Sequence, residues 1–85
     1  MVLKKNIKIY TTENCGYCKK AKTLLNLYNV DYEELVIKNE KERDNMTNLS
    51  GGKRTVPQIF INNLNIGGYD EIYSLHKNGD LKKFK

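Results

Sequence analysis

Between residues 7 and 28 the hydrophobic period changes, and a Cys-x-x-Cys pair sits where it changes. Ile7, Ile9 and Tyr10 belong to a β-prone run, Ile-Lys-Ile-Tyr-Thr, which predicts a strand over residues 7–11. Ala21, Leu24, Leu25 and Tyr28 then recur at i, i+3, i+4 and i+7, while Lys19, Lys20, Lys22 and Asn26 fill the other face. That pattern predicts a helix from Gly16 to about Tyr28, with Asn29 as a left-handed stop. A strand handing over to an amphipathic helix constrains the chain to an α/β layer arrangement.

The remaining signals extend this plan. Tyr32 to Ile37 predicts a second strand, and Asn39 with Glu42 makes a capping-box start for a second helix. That helix is highly charged, with Met46 and Leu49 as its expected apolar contacts and Gly51-Gly52 as its end. Lys53, Arg54 and Thr55 form a loop before a third strand, Gln58–Ile61. Asn62-Asn63 suits a tight hairpin because Asn tolerates positive φ, and Leu64–Ile66 returns as a fourth strand. Gly67-Gly68 opens a third helix with Asp70 and Glu71 in its first turn, Ile72 and Leu75 inward, and Asn78-Gly79 as its stop. The order β-α-β-α-β-β-α gives a parallel first pair with a right-handed crossover and an antiparallel last pair. The expected fold class is therefore α/β: a four-stranded mixed sheet with helices on both faces, the layout of the thioredoxin fold.

Length and charge narrow the functional classes. Residues 1–85 are read as a single domain, and 39% hydrophobic residues suffice for a core. The net charge of +5 steers anionic partners toward the chain. A nucleic-acid role is not expected, because lysines are common on solvated faces and Lys4–Lys5 and Lys82–Lys83 read as solvated tails. No run approaches the ~18 apolar residues of a membrane span, and no signal peptide is visible. The chain therefore reads as cytoplasmic, with no membrane partner.

Two cysteines without export signals read as a redox pair or as half of a metal site. Cys15 would stand at a helix N-terminus, where unpaired backbone N–H groups and the macrodipole stabilise a thiolate. Lys19 and Lys20 add positive charge nearby. Cys18, one turn further in, should be more buried. Cys15 is thus the expected attacker and Cys18 the resolver. A structural zinc site needs four ligands, and beyond the cysteines there is a single histidine, His76, so no metal site within one chain is expected. The same lone histidine gives a cysteine protease little support.

Three motifs together resemble the glutaredoxin family, specifically its small bacterial dithiol members. They are Ile9-Tyr10-Thr11 with Cys15-Gly16-Tyr17-Cys18, then Thr55-Val56-Pro57-Gln58-Ile59-Phe60-Ile61, then Ile66-Gly67-Gly68-Tyr69-Asp70. The resemblance implies a cis bond before Pro57, which presents the Val56 backbone to the cysteinyl part of glutathione as a short β-bridge. It implies that Gly68, Tyr69 and the helix N-terminus hold the γ-glutamyl carboxylate, and that Asp70 meets the γ-glutamyl ammonium. Tyr17 would flank the ligand, Thr55 would touch it or shape the turn, and Lys53 and Arg54 would face its glycyl carboxylate. Thr12 occupies a contact position where the family usually has Lys, which implies a weaker glycyl contact. Gly16 replaces a common proline, and Glu71 stands where Asp is common.

The implied activity is glutathione-dependent reduction of protein–glutathione mixed disulfides and protein disulfides through Cys15, with Cys18 resolving. Glutathione is the co-substrate, the partners are glutathionylated or disulfide-containing proteins, and a monomer is expected. The alternative implied by a motif without the proline is a [2Fe–2S] carrier, a dimer bridged through Cys15 of each chain and two glutathiones. A basic binding module without turnover is the third reading, and the intact cysteine pair argues against it.

Overall fold

A computed structural model describes residues 6–84, so Lys4 and Lys5 lie outside the described residues. The chain runs β1 (Ile7–Thr11), α1 (Gly16–Leu27), β2 (Glu33–Val36), α2 (Glu40–Leu49), β3 (Gln58–Ile61), β4 (Leu64–Gly67) and α3 (Tyr69–Asn78), then a 3-10 turn at Leu81–Phe84. The sheet order is β2-β1-β3-β4. β1 pairs parallel with β2 and antiparallel with β3, and β3 pairs antiparallel with β4. This is the mixed four-stranded sheet expected of the thioredoxin fold.

The period-2 alternation sorts the strands' side chains onto two faces. Ile7, Ile9 and Ile59 pack with Ala21 and Leu25 of α1, Ile72 of α3, Val30 and Leu81 to make the main core. Tyr10 and Phe60 occupy the other parity, edge to face at 5.4 Å. Phe60 and Met46 of α2 are buried outside the main cluster, which is why a helix as charged as α2 still docks. Leu49, in contrast, is exposed, which corrects the expectation that it packs inward. The contact face of α2 runs through Met46 and Ser50, one turn apart, and Leu49 falls off that face.

The punctuation residues do what their chemistry predicts. Asn29, Asn62 and Asn63 adopt positive φ, at the end of the first helical segment and in the hairpin. Asn39 caps α2, accepting from the Glu42 amide at 2.9 Å. Gly79 ends α3 in the left-handed conformation. Lys82 and Lys83 belong to the 3-10 turn anchored by buried Leu81, not to a free tail. Among the described residues no helix is long and apolar enough to cross a membrane.

Candidate active site

Cys15 is the N-cap of α1, with extended backbone at φ −100° and ψ 110°. Its Sγ accepts the Cys18 backbone N–H at 3.2 Å, an N-terminal amide with no intrahelical acceptor. Cys15 is half-buried and Cys18 is buried, and both thiols are free. Burial above all, with the hydrogen bond to Cys15 acting in the same direction, pushes the Cys18 thiol up to about 12. At neutral pH one sulfur is thus placed to react, while the other is held as a thiol behind it.

Opposite Cys15, the Val56–Pro57 bond is cis, and the Val56 carbonyl oxygen lies 4.0 Å from Cys15 Sγ. Val56 and Pro57 form one wall of a cleft of about 380 Å³, and Gly68, Tyr69 and Asp70 at the start of α3 form another. Tyr17, Lys53 and Thr55 stand at its rim, and Gln58 and Glu71 also line it. The two walls touch through Gly68, where an added Cβ would meet the Pro57 carbonyl oxygen at 3.0 Å. The lining therefore combines an extended backbone segment, an ammonium, two carboxylates (one of them, Glu71, bound to the Gly68 amide) and a helix N-terminus, a set suited to a small zwitterionic peptide.

The loop from Ser50 to Thr55 is pinned at its start. Ser50 Oγ donates to the Lys53 carbonyl at 2.8 Å and accepts the Lys53 amide at 3.1 Å. Lys53 Nζ donates to Asn65 Oδ1 at 3.2 Å, which holds the ammonium on the cleft side. Arg54 turns the other way. Its guanidinium donates to Glu40 and Asp44 of α2, each at 2.8 Å, and does not line the cleft. Thr12 also stands apart from the cleft. It lines a separate cavity of about 180 Å³ together with Cys15, Cys18, Lys22 and Glu34. There Glu34 Oε2 accepts from Thr11 Oγ1 at 2.7 Å and from Lys22 Nζ at 2.9 Å. Those two bonds hold its carboxyl below the usual range, Thr11 contributing more.

Two residues that sequence reasoning did not assign to the site belong to its frame. Buried Gln58 donates through Nε2 to Thr55 Oγ1 at 3.2 Å and accepts from Asn65 Nδ2 at 3.1 Å, so it braces the rim from beneath. A polar residue opening an otherwise apolar strand was the available signal. Glu71 reaches back to accept the Gly68 amide at 2.7 Å. Its side chain fills the space where Gly67, at φ +115°, would carry a Cβ. His76 lies away from this chemistry, half-buried against Tyr28, whose hydroxyl is 2.7 Å from Nδ1.

Among the described residues no three metal-ligating side chains converge. Cys15 is the one reachable thiol, since Cys18 is 1% exposed. One reachable thiol does not by itself hold an iron–sulfur cluster, so further ligands would have to come from a second chain and from glutathione.

Comparison with known proteins finds relatives in sequence and in fold. The family model Glutaredoxin matches residues 7–66. The chain is 49% identical over 79 residues to Glutaredoxin 1 of Rickettsia prowazekii, covering 91% of this chain and 83% of that protein. It is 47% identical over 77 residues to Glutaredoxin 3 of Escherichia coli, covering 89% and 92% respectively. A crystal structure of a buckwheat glutaredoxin–glutathione complex superposes with a TM-score of 0.81 at 26% identity, covering 94% of this chain and 76% of that one.

Proposed function

Since this chain belongs to the glutaredoxin family, we propose that it reduces protein–glutathione mixed disulfides and protein disulfides, with Cys15 attacking, Cys18 resolving and glutathione as reductant. Family membership makes it a thiol–disulfide oxidoreductase. The finer reading is supported above all by one juxtaposition: Cys15 Sγ at the cap of α1 lies 4.0 Å from the Val56 carbonyl at the edge of the peptide-sized cleft.

The steps follow from that placement. Cys15 thiolate attacks the glutathionyl sulfur of a mixed disulfide. The S–S bond of the mixed disulfide breaks, the protein thiolate leaves and takes a proton, and Cys15 carries the glutathionyl group. A second glutathione thiolate attacks that same glutathionyl sulfur, expelling Cys15 and forming oxidised glutathione. The Cys18 amide that donates to Cys15 Sγ meets the charge that develops on this sulfur as it departs, which favours this second step. With a protein disulfide, Cys18 attacks Cys15 and releases the partner thiol, leaving a Cys15–Cys18 disulfide for two glutathiones to reduce.

In this reading the cysteinyl backbone of glutathione pairs with Val56. The γ-glutamyl carboxylate takes the amides of Tyr69 and Asp70, because Glu71 already occupies that of Gly68. Asp70 then meets the γ-glutamyl ammonium, and Lys53 meets the glycyl carboxylate. Tyr17 and Thr55 shape the rim. Arg54 acts by anchoring α2 to the loop, and Thr12 by bordering Cys18 from behind.

Reduction of a glutathionylated peptide by glutathione, in wild type and Cys18→Ser, tests the assignment. Retained turnover in the variant supports Cys15 acting alone with glutathione. An inactive variant beside an active wild type would make the dithiol obligatory and remove the glutathione-specific step. Protein purified anaerobically should be colourless as a monomer; a brown dimer would instead point to the bridged cluster.

A further inference from the structure

Five rings form a continuous row across α1 and α3. Centroids lie 5.6 Å apart for Tyr17–Tyr69, 5.8 Å for Tyr69–Tyr73, 5.9 Å for Tyr73–His76 and 5.7 Å for His76–Tyr28. Positions 69, 73 and 76 follow i, i+4, i+7 and so share one face of α3. The inner end is ordinary packing, because Tyr28 and His76 are half-buried and hydrogen-bonded to each other. The outer end is not. Tyr17 is 60% and Tyr73 42% exposed, so packing does not account for either ring.

Two lysines rest on the exposed rings. Lys20 Nζ is 5.2 Å from the Tyr17 centroid, and Lys77 Nζ is 5.8 Å from that of Tyr73. The carboxylates of α3 are directed elsewhere, Glu71 to the Gly68 amide and Asp70 to the cleft. Tyr17 and Tyr69 also line the cleft. The row therefore starts at the peptide site and leaves it along α3 as an apolar ridge with cations at its margin. A tripeptide would fill the cleft; a longer chain leaving it on this side would pass over Tyr73 and Lys77.

We propose that the Tyr17–Tyr69–Tyr73 ridge, with Lys20 and Lys77, docks the polypeptide flanking a partner's reactive cysteine and selects flanks that carry carboxylates beside an apolar side chain. The proposal rests on the oxidoreductase reading and names the substrate class of that site. Apolar side chains lie on the rings, while carboxylates pair with ammonium groups already oriented by the cation–π contact.

The test uses three glutathionylated substrates: a small alkyl thiol, a peptide with an acidic, Leu-containing flank, and its counterpart with Lys for each acid. Wild type is expected to show a kcat/KM about five-fold higher for the acidic peptide than for the basic one, with the advantage shrinking in high salt. Lys77→Glu and Tyr73→Ala, both outside the cleft, are expected to raise KM for the acidic peptide about five-fold, leaving kcat and the small substrate unchanged. Equal use of both peptides by wild type, or a KM indifferent to both substitutions, overturns the ridge while leaving the enzyme intact. Titration of labelled protein with the acidic peptide bearing Ser for Cys reads docking without turnover. Shifts at Tyr73, His76 and Lys77 are expected. Shifts confined to the cleft, or ridge shifts that follow protein concentration alone and so report a second copy of the chain, overturn it.

Discussion

Gly68→Ala probes the contact that sets the width of the cleft. The φ of −106° at this position is open to any residue, so the backbone itself is not strained by alanine. The new Cβ, however, would sit 3.0 Å from the Pro57 carbonyl oxygen, where ordinary contact begins near 3.4 Å. Both partners are backbone, so neither can rotate away, and the two walls must separate by about 0.4 Å. Overpacking of this kind costs about 1–3 kcal/mol, offset by about 0.4–1 kcal/mol from a stiffer unfolded chain. A net loss of about 1 kcal/mol lowers Tm by about 4–8 °C in a domain of this size. A misplacement of about 1 Å can cost about 100-fold in rate, so 0.4 Å implies roughly six-fold in kcat/KM for a glutathionylated peptide. Thermal unfolding and initial rates measure the two effects. The reasoning is refuted if Tm moves by less than about 1 °C and kcat/KM by less than about two-fold. Gly16→Ala is the control for stability, since its Cβ meets nothing within 4 Å and should stabilise α1 by about 0.5–1 kcal/mol.

Three further perturbations follow from the geometry. Desolvation is the largest cause of the high Cys18 value of about 12 and persists when Cys15 is in a mixed disulfide, so the thiolate fraction keeps growing with pH. Stopped-flow release of a partner thiol by Cys18 should therefore quicken about ten-fold per pH unit from 6 to 9, and a plateau near pH 8 would contradict the assignment. The Glu34 carboxyl is lowered from 4.5 in the folded chain, so its bonds to Thr11 and Lys22 contribute stability above that pH and lose it as pH falls through the lower folded value. Glu34→Gln should make denaturant stability less dependent on pH below about 4.5, at a cost of about 0.5–1 kcal/mol at pH 7; identical pH slopes would disprove the linkage. Lys53→Ala should raise KM for glutathione several-fold, whereas Arg54→Ala should leave KM unchanged because its guanidinium is bound to α2; equal effects on KM would reverse that division.

Elements carried by hydrophobic period were legible in the sequence, and contacts decided by the packing of separate elements were not. Ile7, Ile9, Ala21 and Leu25 announce β1 and α1 by their spacing alone, and the asparagines mark turns because their side chains tolerate positive φ. Leu49 was misplaced because a helix with so few apolar residues leaves its contact face undetermined until Met46 and Ser50 dock. Tyr17, Val56 and Asp70 could be placed together, with Cys15 against Val56, because their motifs occupy element ends that the topology gathers. The direction of Arg54 could not be read, because it depends on Glu40 and Asp44 presenting one helix turn of carboxylates to the loop. The bracing contacts of Gln58 and Glu71 are illegible in the sequence for the same reason. Each acts through a partner, Thr55 or the Gly68 amide, whose position is fixed by the folded cleft.

The central claim is that Cys15 carries the glutathionyl group during turnover. Intact-mass analysis and peptide mapping of Cys18→Ser treated with oxidised glutathione tests it most directly. The account predicts a single glutathionyl group on Cys15 that reduced glutathione removes. An unmodified protein, or an adduct that reduced glutathione does not release, would contradict it.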